Sequence, residues 1–311
     1  MMKRRFIMRL KDNVKISYCD IEKKTKINQG TIEYIIADEN KYYYNVFTQE
    51  KIELNNTPKE QYDFLINNAL ICNDSSYDNI DERFKRNMYF FEAFSEKVGI
   101  NPEKIHNRIQ NKTILIIGFG GIGTIVVDNL QRMGFKNFIL IDYDIVEPSN
   151  LNRQMFFNEQ YYGEFKVDVA ESELLNGCNI KKCYKNINSV SDLEKLNVNN
   201  VDFLINCADT PTNIVNIVNE FAKKYKIPTI SGSVGTETGT WGPIYDTNNL
   251  YHPIDIENND MSIKGSNAST NSIISSFIAF EVMLYITNLY EDYLFYKEKI
   301  LNFKTLFMEV N

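Results

Sequence analysis

The sequence predicts an α/β fold: a doubly wound, mainly parallel sheet with helices on both faces, behind a small N-terminal α+β, winged-helix-like module. Three observations carry this. A short apolar run, Thr113 to Ile117, enters the glycine turn Gly118-Phe-Gly-Gly-Ile-Gly123, and a helix-like segment follows. A second apolar run ends on Asp142, nineteen residues past Gly123. From Thr113 onward strand-like and helix-like stretches alternate, which calls for right-handed crossovers and a parallel sheet.

In chain order, residues 1–80 are expected to form the separate N-terminal unit, and 81–311 the sheet-bearing domain. Arg5–Leu10, Lys15–Cys19, Thr31–Ile36 and Tyr42–Phe47 are short β-branched or aromatic runs broken by turn residues, so each reads as a strand. Thr57, Pro58 and Glu60 read as N-cap, first helical residue and capping-box partner of a helix reaching about Asn68. Such a module is either a packing appendage or a clamp that takes a peptide by strand addition. Residues 73–81 are polar and read as a linker. A helix is expected next, with Phe84, Met88, Phe91, Phe94 and Val98 on one face and Gly99 as its stop, then a shorter one opened by Asn101-Pro102.

In the second domain, strands are expected near 113–117, 137–142, 180–187, 201–206 and 227–232. Helices are expected near 122–133, 163–176, 190–196 and 211–225. Residues 246–268 are turn-rich and read as a mobile loop. A long helix is expected over 270–289 and a last strand over 304–310. Ligands of such sheets sit at the carboxyl ends of the strands.

Composition narrows the function classes. The 311 residues carry a net charge of −7, which disfavours a nucleic-acid partner. The basic N-terminus, Lys3 to Arg5, is not followed by the apolar run of a signal peptide. The most apolar segments, 113–127 and 272–286, fall short of the roughly 20 residues that span a bilayer. Five cysteines, Cys19, Cys72, Cys178, Cys183 and Cys207, form no Cys-x-x-Cys pair. That usage fits reduced thiols and a cytoplasmic protein, with no membrane partner. His106 is expected on a helix surface and His252 in a loop.

The glycine turn lets the backbone approach a phosphate, and the helix N-terminus behind it supplies N–H donors. Asp142 is placed to take ribose hydroxyls. So far a dinucleotide dehydrogenase fits as well as anything. The following residues argue otherwise, because hydride transfer needs no cluster of cations beyond the ribose aspartate. Asn150, Arg153 and Gln154 lie on the loop after Asp142, Lys166 near the start of the next helix, Asp209 just past the strand ending at Asn206, and Arg86 upstream. Each alone is more often a solvated surface charge. Together at strand ends they suit displacement at phosphorus, with the cations spreading transition-state charge and Asp209 holding Mg²⁺ on the phosphates.

Gly118 to Gly123, Asp142-Tyr-Asp144, Ser149-Asn-Leu-Asn-Arg-Gln154, Lys166 and Cys207-Ala-Asp209-Thr together resemble the adenylation domain of ubiquitin-activating enzymes and their bacterial ThiF, MoeB and HesA relatives. The resemblance spans about residues 83–235. It implies a Rossmann-like adenylation fold, a nucleotide held by Gly118, Gly120, Gly121, Gly123, Asp142, Asp144, Asn150, Arg153, Gln154 and Lys166, and attack of a C-terminal carboxylate on the α-phosphate with loss of pyrophosphate. It also implies a homodimer in which Arg86 is lent to the neighbouring protomer's site.

Within that family the chain is most similar to the peptide adenylyltransferases of microcin C biosynthesis. The extra N-terminal module, the polar connector to Arg86, Asn101-Pro102, Asn186-Ile-Asn188 and Trp241-Gly-Pro-Ile-Tyr245 carry the likeness. That branch implies a short ribosomal peptide as substrate, a succinimide intermediate at a terminal asparagine and a P–N-linked nucleotide product. The choice of ATP or CTP would rest on the pocket around Ile187. Two departures stand out. The structural-zinc cysteine pairs of those relatives are missing, so no zinc is expected. No cysteine follows Gly232, where thioester-forming relatives place theirs. Alternatives are adenylation of a sulfur-carrier or ubiquitin-like protein, and a non-catalytic leader-peptide-binding partner of a peptide cyclodehydratase.

Overall fold

A computed structural model of the chain describes residues 7–53, 55–175, 177–198, 200–253, 265–290 and 293–311. The chain divides into two compact units, Met1–Asn107 and Arg108–Asn311.

The N-terminal unit contains β1 (Ile7–Leu10), β2 (Val14–Cys19), β3 (Lys24–Gln29), β4 (Ile32–Ala37), helix α1 (Tyr42–Phe47), β5 (Ile52–Glu53), α2 (Lys59–Asn67), β6 (Ile71–Asn73), α3 (Lys85–Phe94) and the start of α4 (Pro102–Gln110). Two antiparallel three-stranded sheets result, ordered β5-β1-β6 and β2-β3-β4. Met8, Ile27, Phe47, Ile52, Leu65 and Leu70 share one core.

Several expectations need correction here. Tyr42–Phe47 is a helix and not a strand. The Asp38 carboxylate accepts N–H groups of Tyr43 (3.2 Å) and Tyr44 (3.0 Å), which satisfies donors that a first helical turn leaves open. The i, i+4 spacing of Tyr43 and Phe47 then brings their rings to 5.7 Å. The capping box at Thr57 does not form. Pro58 is itself the N-cap, Thr57 donates to the Glu53 carbonyl, and Glu60 instead accepts from the Tyr43 hydroxyl at 2.6 Å. Strands β3, β5 and β6 were not expected.

The 73–81 stretch is not a free linker. Tyr77 is 2% exposed and donates to Glu92, which also accepts from Arg9 at 2.6 Å. Lys11 likewise donates to the Ser95 carbonyl at 2.5 Å. These contacts tie α3 to β1, so the unit runs to Asn107, past the expected boundary at residue 80. The helix of α3 ends at Phe94 and does not continue to Gly99. His106 is buried at 2% exposure with its ring 4.9 Å from Phe84, where a surface position was expected, while His252 is exposed.

The C-terminal unit continues with β7 (Thr113–Ile117), α5 (Gly121–Met133), β8 (Asn137–Ile141), α6 (Lys166–Glu173), β9 (Asn179–Cys183), α7 (Val190–Lys195), β10 (Phe203–Asn206), α8 (Ile214–Tyr225), β11 (Thr229–Val234), β12 (Thr238–Trp241), α9 (Ala268–Thr287), β13 (Lys299–Asn302) and β14 (Met308–Val310). They build one eight-stranded sheet in the order β14-β13-β12-β11-β10-β7-β8-β9. The five strands β9, β8, β7, β10 and β11 are parallel, giving the 3-2-1-4-5 order of a doubly wound fold. Ile114 to Ile117 and Phe203 to Ile205 are at most 2% exposed, the continuous burial of central parallel strands.

On one face α7 and α8 bury Leu193, Ile217, Val218 and Phe221 against Leu115, Ile139 and Leu204. On the other face α9 packs against α5, β11 and β12. At 20 residues α9 has the expected length, shifted two residues earlier, and it is long and apolar enough to cross a membrane by composition, where the apolar segment 272–286 read from sequence fell short. Here it is a core helix: Ile274, Ile278, Ala279 and Val282 are wholly buried. The expected last strand over 304–310 is instead a hairpin of β13 and β14, and the antiparallel β12 beside them was not foreseen. Of the expected loop over 246–268, residues 254–264 lie outside the described residues.

Candidate active site

The site begins where β7 stops. Gly118 has φ +87°, and a Cβ there would lie 2.7 Å from the Ala208 nitrogen, so the position excludes any other residue. A Cβ on Gly123 would lie 2.0 Å from the Gly118 carbonyl oxygen, which lets the first turn of α5 close against the loop. The thirteen-residue α5 thus directs its N-terminus over the ends of β7 and β10.

Asp142 follows β8 and is 8% exposed. One carboxylate oxygen accepts the Phe119 N–H at 2.6 Å and the other the Asp144 N–H at 2.8 Å. The ribose aspartate expected from sequence is therefore also the brace of the glycine turn. Burial pushes its carboxyl above the usual carboxylate range. Lys166 and the two N–H groups oppose that rise, and Asp144 adds to it.

Lys166 opens α6 and is 5% exposed. Its ammonium donates to the Asp144 carboxylate at 2.8 Å. Its backbone N–H donates to the Asp144 carbonyl at 3.0 Å. A second contact fixes the intervening loop: the Asn150 side chain accepts the Glu147 N–H at 3.0 Å, closing a capping box around residues 148–150. Arg153, half-buried, donates to the Ser149 carbonyl at 2.9 Å and to Asn152 at 2.8 Å. Gln154 is 3% exposed, and its side-chain oxygen has no hydrogen-bond partner among the described residues. Asp209 is exposed on the loop after β10, with Thr210 donating to it at 3.3 Å.

One cavity of about 920 Å³ collects these residues along the carboxyl ends of β9, β8, β7, β10 and β11. Gly118, Gly120, Gly121, Asp142, Asp144, Asn150, Arg153, Gln154, Lys166, Ile187 and Asp209 all line it. Gly123 does not; its role is the packing just described. Arg86 belongs to the N-terminal unit, exposed on α3.

Sequence reading missed three lining residues on the far side of the sheet: Asn206, Ser231 and Asn219. The signals were there. Asn206 is a polar end to an otherwise apolar strand, and Asn219 interrupts the apolar face of α8 made by Ile217, Val218 and Phe221.

The residues present suit a Mg²⁺–nucleotide. No group of three or more metal-ligating side chains occurs among the described residues. Mg²⁺ needs none, since it is ordinarily held by one or two carboxylates together with phosphate oxygens. Asp209 is an exposed carboxylate on the cavity wall and fits that part.

Comparison with known proteins agrees with the geometry. The ThiF family matches residues 85–311. Over its whole length the fold is similar to crystal structures of E. coli MccB. That with MccA-N7isoASN has a TM-score of 0.82 at 23% identity, covering 98% of this chain and 96% of that one. That with ATP has a TM-score of 0.79 at 22% identity, with the same coverage. The adenylyltransferase and sulfurtransferase UBA4 of Scheffersomyces stipitis is 31% identical over 166 residues, 51% of this chain and 36% of that protein. Ubiquitin-like modifier-activating enzyme 5 of Drosophila persimilis is 42% identical over 83 residues, 27% of this chain and 21% of that protein. The matched segments thus span between about a fifth and about a third of these two curated relatives. With 227 of its 311 residues (85 to 311) inside the family match, the chain belongs to the ThiF family.

Proposed function

We propose that this chain is a nucleotidyltransferase that activates the C-terminus of a short ribosomal peptide with ATP or CTP and Mg²⁺, releasing pyrophosphate, as in microcin C-type antibiotic assembly. One observation carries the reading: a buried lysine, a half-buried arginine and an exposed aspartate share one cavity with a glycine turn at a helix N-terminus. A dehydrogenase has no use for that set.

In the chemical step a carboxylate oxygen of the peptide attacks the α-phosphorus. The bond from α-phosphorus to the bridging oxygen breaks, and its electron pair leaves with pyrophosphate. No general base is needed, because a carboxylate is already ionised at neutral pH. The N–H groups at the start of α5 face the phosphates. Arg153 and Lys166 balance the charge that grows on the leaving pyrophosphate. Asp209 would hold Mg²⁺, whose chemistry is charge neutralisation on the phosphate oxygens. Asp142 keeps the turn in place and retains lone pairs for the ribose. Ile187 contacts the base. A second nucleotide, attacked by an imide nitrogen, would give the P–N-linked product.

The N-terminal unit is assigned to the peptide. The outer strand β4 exposes Ile32 (52%) and Ile35 (53%), a partly apolar edge for strand addition. A homodimer is part of the proposal. On α9, Ile273 and Phe277 remain exposed although the helix is apolar all round, which is typical of a helix with a further partner. Arg86 would then serve the neighbouring protomer's site. The reaction is assigned to the cytoplasm, where nucleotides and newly made peptides are present.

Adenylation of a sulfur-carrier or ubiquitin-like protein is the second reading, favoured by the similarity to UBA4 and to ubiquitin-like modifier-activating enzyme 5. The non-catalytic alternative is disfavoured by the intact Arg153, Lys166 and Asp209. Pyrophosphate exchange into ATP and CTP, measured with short peptides and with a diglycine-ending carrier, separates the three. Peptide-dependent exchange is expected; exchange with the carrier alone, or none at all, would overturn the proposal.

A further inference from the structure

The cavity has two ends. The glycine turn, Asp142, Lys166 and Ile187 occupy the side of β7, β8 and β9, which the nucleotide would fill. The other end reaches β10 and β11, and beyond Asp209 nothing in the nucleotide reading uses it. Its floor is Asn206 and Ser231, opposite one another in the strand register. Asn206 is 0% exposed, and its amide N–H₂ reaches Ser231 only at 3.5 Å.

The wall is α8, which presents Asn219 to the cavity. Asn219 is 1% exposed, and neither its side-chain oxygen nor its nitrogen has a hydrogen-bond partner among the described residues. Beside it, Tyr251 donates to Asn216, one turn earlier on α8, and stands 5.1 Å from the Tyr245 ring. Both tyrosines line the same cavity. A buried side-chain amide with both edges open is costly unless something pairs with it.

We propose that Asn219 is a specificity residue at the acceptor end of the cavity, and that its amide pairs with a peptide amide next to the substrate's reacting terminus. The match is chemical. Asn219 offers one donor edge and one acceptor edge side by side, and a peptide amide offers the complement. A carboxylate or a phosphate would leave the Asn219 oxygen without a donor. The position also fits: a substrate entering from β10 and β11 meets the nucleotide at the loop bearing Asp209. The proposal rests on the nucleotidyltransferase reading but not on the size of the acceptor.

Three measurements on the full-length protein test it. Asn219→Leu keeps the side chain's size and removes both polar edges. In the ligand-free protein its melting temperature should rise, since an unpaired polar group is removed from the interior. Its ATP Kd should stay within about twofold of wild type, while KM for the acceptor in pyrophosphate exchange rises about tenfold, the worth of one hydrogen bond.

The acceptor probes are short synthetic peptides with a free carboxylate, and the matching depsipeptides with an ester oxygen in place of the last amide N–H. The ester should weaken wild type about tenfold and the Leu variant no further, the non-additivity expected of a direct pair. Asn219→Ala carries the same KM and ester expectations if the Leu variant fails to fold. A fall in melting temperature with unchanged acceptor KM would make Asn219 a structural residue holding a water. An ester penalty that persists in the variant, or a loss confined to ATP binding, equally overturns the pairing. If wild type exchanges only with a diglycine-ending carrier, the peptide reading above fails. The variant is then compared with wild type on that carrier.

Discussion

Lys166→Met tests the site most sharply. Lys166 is 5% exposed and pairs at 2.8 Å with Asp144, whose side chain is 48% exposed. Methionine fills nearly the same volume without the charge. The structural cost should be small, within about 1 kcal/mol, because a buried ammonium is exchanged for an apolar chain and the carboxylate left behind is partly solvated. Catalysis should suffer far more. Losing one preorganised positive group at a developing charge typically costs about 3–4 kcal/mol, or a drop in kcat on the order of 10²–10³. Pyrophosphate exchange at saturating nucleotide reads the loss, and urea unfolding at neutral pH reads the stability.

The same variant has a pH signature. The folded Asp142 carboxyl is raised above its unfolded value, chiefly by burial, and Lys166 works against that rise. A carboxyl raised in the folded state binds more protons there than when unfolded, so stability is greatest below the unfolded pKa and is lost as pH climbs through the folded one. Removing Lys166 extends that window upward. Lys166→Met should therefore lose more stability than wild type between about pH 4 and the raised Asp142 value, where about 3.9 is the ordinary aspartate pKa. Exchange within about threefold of wild type would refute the placement of Lys166 on the phosphates. A flat difference in stability across pH would refute its coupling to Asp142.

Four further outcomes are expected. Arg153→Ala should lower exchange about 10²-fold with stability within about 0.5 kcal/mol, checked by kinetics and thermal melts side by side. Gly118→Ala forces a Cβ to 2.7 Å from the Ala208 nitrogen at φ +87°. It should cost at least about 1–2 kcal/mol from the backbone alone, and ATP binding by calorimetry should be lost. Glu92→Ala removes the buried acceptor shared by Tyr77 and by Arg9 (2.6 Å), leaving Arg9 only its 3.2 Å pair with the exposed Asp12 and the Leu10 carbonyl. With Glu92 2% exposed, it should destabilise the N-terminal unit by about 3 kcal/mol in denaturant titration. Phe277→Glu on the exposed stripe of α9 should convert the proposed dimer to a monomer in light scattering, and an unchanged mass would place the interface elsewhere.

The parallel half of the sheet was legible because its strands are buried on both faces. Runs such as Ile114 to Ile117 have no other stable placement beside helices with a 3.6-residue period. The antiparallel half was not. Thr238–Trp241 is four residues with a glycine and two threonines, and Lys299 occupies a buried strand position only because Glu281 on α9 meets it at 2.5 Å. No local pattern carries that long-range ion pair. The same holds for Tyr42–Phe47. Three tyrosines in a row favour a strand by propensity, and the helix depends on Asp38, whose carboxylate also accepts from Thr25 on β3 at 2.6 Å. The glycine turn, Asp142 and Asp209 were readable because each follows closely on a strand end, and Asn150, Arg153, Gln154 and Lys166 because they complete the motif shared with adenylation domains. Asn206 and Asn219 carried only a faint signal, one polar residue closing an apolar strand and one interrupting an apolar helix face, and their burial is what marks them.

The double duty of Asp142 changes how the glycine turn should be understood. A ribose aspartate standing alone would be free to move with its ligand. Here its two oxygens tie the Phe119 N–H in the turn to the Asp144 N–H at the next strand end, and Asp144 in turn holds Lys166 by both carboxylate and carbonyl. The glycine turn and the cation beside it are thus linked through Asp142 and Asp144, on either side of Tyr143, in a chain of bonds about 2.6–3.0 Å long. Asp142→Asn should then do more than weaken a ribose contact. The amide oxygen can take over only one of the carboxylate's two acceptor roles and the N–H₂ only donates, so one of the two backbone N–H groups is left buried and unpaired, at about 1–3 kcal/mol. Lys166 should lose its fixed position as well. If Asp142→Asn weakened nucleotide binding and left the stability and the Lys166-dependent rate untouched, the aspartate would be a ligand contact and not a brace.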